Sequence, residues 1–95
     1  SLGMSEDGLR VESGDMLVSF SLGRAVLLEL AASRFADINK DARVGCIRID
    51  AKRHKAELLI FNNGHGVVIG QNSKRVAEMA VRHWASLLDE EGALA

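Results

Sequence analysis

Between Asp15 and Leu22 the chain alternates, with Met16, Val18, Phe20 and Leu22 on one side and Asp15, Leu17, Ser19 and Ser21 on the other. A period of two over eight residues predicts a half-buried strand. The pattern then changes. From Gly23 to Phe35, apolar residues outnumber a narrow polar stripe at Arg24, Glu29 and Ser33, which predicts a well-buried helix with Ser21 placed to cap it. Ala36–Ala42 reads as a polar link, Arg43–Asp50 as a second strand, and Ala56–Phe61 as a third. The basic segment Ala51–Lys55 bridges these two strands. "NNG" at 62–64 fits a tight hairpin, because asparagine and glycine tolerate positive φ, and Val67–Gly70 makes a fourth strand. Ser73–Gly92 is amphipathic at helical spacing: Val76, Ala80, Trp84, Leu87 and Leu88 share a face, and Glu78 and Arg82 stand four apart on the polar side.

The order strand, helix, three strands, helix predicts an α+β domain with both helices packed on one face of an antiparallel-rich sheet. Its third strand is apolar on both sides: Leu58 and Ile60 point one way, Leu59 and Phe61 the other. Two helices cover one face and leave the second bare, with Leu17, Leu59, Phe61, Val67 and Ile69 as its expected occupants. Burying each large side chain is worth roughly 1.5–3 kcal/mol. Such a cluster is either core or a contact surface.

Composition narrows the classes. Ninety-five residues make one domain, expected here as a tail at 1–13, in which "SLG" reads as a remnant of expression, followed by a folded unit at 14–92. No apolar run approaches the ~20 residues of a membrane span, so no membrane association is expected. Cys46 is the single cysteine, which excludes an internal disulfide and suits a reducing, cytoplasmic setting. A net charge of −1 supplies no global attraction to a polyanion, so any such binding rests on a local patch.

Candidate chemistry is sparse. Lys52, Arg53 and Lys55 in the basic bridge, with Arg43 and Arg48 nearby, form either a phosphate-contacting loop or a solvated hairpin. His54, His65 and His83 lack ligand spacing, so no metal is expected. Gly64, Gly66 and Gly70 read as turn and strand-end residues rather than a phosphate loop. Trp84 reads as core. Cys46 has no evident base, and no carboxylate pair or Ser/His/Asp set stands out. Neither an enzyme nor a cofactor is expected.

"FSLGRAVLLELAASRF", "IRID" with its basic hairpin, and "LLIFNNGHGVVIG" followed by "SKRVAEMAVRHWASLL" together resemble one half of the TATA-box-binding-protein saddle, from about Gly14 to Glu91. The resemblance implies a curved antiparallel sheet with two helices on its convex side and a concave side laid on a DNA minor groove, where phenylalanines wedge between base steps. It matches Phe61 to a wedge, Leu59 and Val67 to apolar floor positions, and Arg48 to a phosphate contact. It also sets Asp15 where the family has a base-reading asparagine, Ile69 in place of a threonine, Glu57 near another, and Ala42 or Val44 at the second wedge. The implied function is a non-enzymatic nucleic-acid-binding module using Leu17, Ser19, Arg48, Lys52, Arg53, Lys55, Leu59, Phe61, Val67 and Ile69. Its partner is DNA or RNA, and it acts as a homodimer, since a full saddle needs two copies. The alternative is a protein-interaction module whose apolar face is covered by a second subunit or another protein.

Overall fold

A computed structural model describes residues 8–13 and 17–95. The sheet has six antiparallel strands: β1 (Arg10–Ser13), β2 (Val18–Ser21), β3 (Ile38–Asp41), β4 (Cys46–Ala51), β5 (Ala56–Phe61) and β6 (His65–Ile69). Helix α1 (Leu28–Arg34) follows β2, and α2 (Lys74–Glu90) closes the domain. In space the strands run β1-β2-β6-β5-β4-β3, an open curved sheet of α+β class, as the alternation and the resemblance imply.

Two strands depart from the pattern-based reading. Ile38–Asp41, read as part of a polar link, is edge strand β3, and Arg10–Ser13, read as tail, is edge strand β1. An edge strand has one neighbour and needs little apolar content. Only Ile38 is buried in β3, while Lys40, on the helix side, reaches Glu29 of α1 at 2.9 Å. Asp15, Met16 and residues 1–7 lie outside the described residues.

The first helix is also shorter than its apolar run. Residues 22–27 instead hydrogen-bond to distant backbone: Leu22 N–H to Gly64 O, Val26 N–H to Asn62 O, and Leu27 N–H to Ala93 O. Ser21 does not cap α1. Its Oγ accepts from the Gly23 N–H, and Leu27 stands at the cap position without a side-chain bond. Arg24 secures the same junction by donating to Asp89 Oδ1 and to the carbonyls of Leu94 and Ala95. Ser73 caps α2 by accepting from the Val76 N–H at 3.2 Å.

Both helices lie on one face. There, Phe20, Ile47, Ile49, Leu58, Ile60 and Val68 from the sheet meet Ala31 of α1 and Ala77, Ala80, Val81, Trp84 and Leu88 of α2. Phe35 contacts Trp84 edge to face, with ring centroids 5.2 Å apart, and so joins the two helices. Gly66 permits this packing: a Cβ there would come 2.3 Å from Leu59 O and 2.5 Å from the Phe20 ring. Gly64, at φ +89°, closes the β5–β6 turn against the Arg24 carbonyl, where a side chain has no room.

Candidate nucleic-acid or partner interface

Strand pleating sends every second side chain to the face that neither helix covers. On β4 and β5 these are Cys46, Arg48 and Asp50, and Glu57, Leu59 and Phe61; on β6 and β2 they are His65, Val67 and Ile69, and Ser19 and Ser21. Leu17 continues the alternation just before β2 and is 51% exposed. Phe61 is 37% exposed, and Leu59, Val67 and Ile69 are half-buried by one another and their neighbours. Among the described residues nothing covers this face. It brings together seven of the expected site residues: Leu17, Ser19, Arg48, Leu59, Phe61, Val67 and Ile69.

Register places Leu59 beside both Val67 and Arg48, with Ser19 beyond Val67, so an apolar band runs across two strands, β5 and β6, between polar ends on β4 and β2. Cys46 pairs with Phe61 and is buried, consistent with an inert thiol. Val44, aligned by the resemblance near the second wedge, is 54% exposed in the β3–β4 turn, at the same end of the sheet as Phe61.

Charge on this face is mixed, with a small acidic excess. Arg48 donates to Glu57 Oε2 at 2.8 Å, and that hydrogen bond and charge raise the guanidinium pKa further. Asp50 stands directly across the strand pair from Glu57, and Asp41 across from Cys46 with Arg43 at 3.6 Å, so three carboxylates accompany two arginines. Opposed like charges are unfavourable, and Arg48 relieves part of that repulsion.

The structure does not bring Lys52, Arg53 and Lys55 to the apolar band. They occupy a 3-10 turn, Lys52–His54, and its left-handed closing residue Lys55. The turn leans toward the helix side: Gln71 Nε2 donates to His54 O at 2.7 Å, and the His54 and His83 rings lie 5.7 Å apart. Lys52 reaches Asp37 at 3.3 Å. The spacing of the three histidines gives no sign of this, because the approach of His54 to α2 depends on a long-range contact.

A groove of about 520 Å³ borders the open face along β2 and β6, lined by Ser19, Ser21, His65 and Gly66 with Gly8 and Gly23. Ser21 and His65 are cross-strand partners, but Ser21 Oγ is engaged by Gly23 and no described hydrogen bond joins it to the imidazole. Among the described residues, no three His, Cys, Asp or Glu side chains gather as a ligand set. No helix among them is long and apolar enough to cross a membrane.

A family model described as "Transcription factor TFIID (or TATA-binding protein, TBP)" matches residues 11–91. No curated protein sequence matches the chain.

Proposed function

From the premise that this chain belongs to the TATA-binding-protein family, we propose that it is a non-enzymatic nucleic-acid-binding domain. It lays its open sheet face on DNA or RNA and acts as a homodimer, in a reducing, cytoplasmic setting. The observation that carries the reading is the uncovered band of Leu59, Val67 and Phe61 on a sheet whose other face is fully packed. Phe61 supplies a ring that stacks on or wedges between bases, and Leu59 and Val67 supply the apolar floor. The test is a salt-titrated binding assay on DNA duplexes and on single-stranded DNA and RNA. Phe61→Ala is expected to weaken binding by about tenfold, as the loss of one base–aromatic contact does, while the melting temperature stays close to that of the parent. Absence of binding to all these nucleic acids at low salt rejects the reading.

A second reading is favoured by the charges. Arg48 is held by Glu57, and Asp41 and Asp50 share its face, an arrangement that suits a protein surface or a second copy better than a row of phosphates. Light scattering on Leu59→Lys separates the two: a dimer that buries this face dissociates, whereas one assembled elsewhere persists.

A further inference from the structure

Positive charge is unevenly balanced over the molecule. Among the described residues Arg24, Arg34, Lys40, Arg43, Arg48 and Lys52 each hold a carboxylate at ion-pair distance. Arg53, Lys55, Lys74 and Arg75 hold none, and all four are exposed. They come from two segments far apart in sequence, the 3-10 turn and the first turn of α2. The fold joins those segments through the Gln71–His54 hydrogen bond, the Ser73 N–H donated to Gln71 Oε1 at 3.0 Å, and the His54–His83 contact. Unbalanced cations from both therefore collect at one end of the domain.

Two further observations bear on this end. Lys55 has φ 54° and ψ 47°, the left-handed region, which is disfavoured for residues other than glycine. Glycine would adopt it freely, so the lysine side chain is present despite an unfavourable backbone. On the opposite side of the same hairpin, Asp50 and Glu57 face each other across β4 and β5. Their carboxylates repel a phosphate chain from that part of the open face and leave the helix side of the hairpin as its path.

We propose that Arg53, Lys55, Lys74 and Arg75 form a polyanion-binding surface, distinct from the apolar sheet face, that takes the phosphate backbone of a bound nucleic acid. The nucleic-acid part of this assignment rests on the function proposed above. The two surfaces divide the work: the sheet face contacts bases and sugars, and the basic end supplies the salt-dependent attraction.

The experiment uses two probes, a short DNA duplex and inorganic polyphosphate, which has charge but no bases. Binding is measured over a salt series for the parent, Lys55→Gly, Phe61→Ala and the triple variant R53E/K74E/R75E. The parent is expected to bind both probes. Lys55→Gly should keep or raise the melting temperature while flattening the slope of log affinity against log salt by about 0.9, the loss of one phosphate contact. The triple variant should lose polyphosphate binding and weaken duplex binding by about tenfold or more. Phe61→Ala should weaken only the duplex. Unchanged slopes in Lys55→Gly and the triple variant overturn the surface and leave the proposed function standing. Polyphosphate binding that depends on these residues, without binding to any nucleic acid, supports the surface and rejects the function. No binding to either probe overturns both.

Discussion

Leu58 and Leu59 are adjacent on β5 and chemically identical, yet they face different surroundings. Leu58 is fully buried against the helices, beside Val68 and Ile49, whereas Leu59 lies half-buried between Val67 and Arg48 on the uncovered face. The difference separates what maintains this fold from what the fold presents. Leu58→Ala leaves a cavity that packed neighbours cannot fill and should cost about 2–5 kcal/mol. Leu59→Ala removes a side chain that water already reaches and should cost less than about 1 kcal/mol. Urea denaturation of the two variants measures both. Equal losses would break the comparison, because they would mean that the domain's own packing uses both faces alike.

The same division governs what could be read from the chain. Val18, Phe20 and Leu22 alternate strongly enough to set the faces of β2, and the double apolar character of β5 announces an uncovered side. Strand β3 carries no such signal: of Ile38–Asp41 only Ile38 enters the core, and an edge strand with one buried residue looks like a polar link. Ala25–Leu27 fail in the opposite sense. Their apolar character suits a helix, but their backbone is taken up by Asn62, Ala93 and Ala95, partners too distant for any local pattern to register. The site divides likewise. Leu59, Val67 and Phe61 were legible as one surface because strand pairing follows from the hairpin. The approach of the 3-10 turn to the segment that opens α2 was not, because it depends on how the β4–β5 turn leans on α2.

Charge sharpens the contrast between the open face and the basic end. On the sheet, Arg48 is engaged by Glu57; at the basic end, four cations have no acidic partner. Glu57→Gln removes one carboxylate from the open face and frees the guanidinium. The exposed pair contributes little to folding, so stability should scarcely change. Nucleic-acid affinity should rise several-fold, and the salt slope should steepen by about 0.9 as Arg48 gains a phosphate. Salt-series binding of the variant checks both. If the second reading holds, and a basic protein segment is the partner, the same substitution weakens that complex instead, so the sign of the change selects the partner class.

The smallest expected effect distinguishes the basic end from an ordinary solvated turn. Burial lowers the His54 pKa below its usual 6.5, and electrostatic interaction with His83 of α2 and Arg53 of its own turn lowers it further. Its Nδ1 is buried without a hydrogen-bond partner among the described residues, which also favours the neutral ring. As the pH falls through 6.5 the unfolded chain takes up a proton that His54 in the fold resists, so the native state loses stability; above that value both states are neutral and the difference vanishes. The melting temperature should therefore fall between pH 7 and pH 5 by more in the parent than in His54→Gln. Binding should respond with the opposite sign. A polyanion at Arg53, Lys55, Lys74 and Arg75 offsets the positive field around the imidazole and raises its pKa, so acidification strengthens polyphosphate binding while it weakens the fold. His54→Gln should lose part of both effects together. A variant that flattens the melting profile and leaves the pH dependence of binding untouched would place His54 outside the field of the bound polyanion, and would narrow the surface to the cations alone.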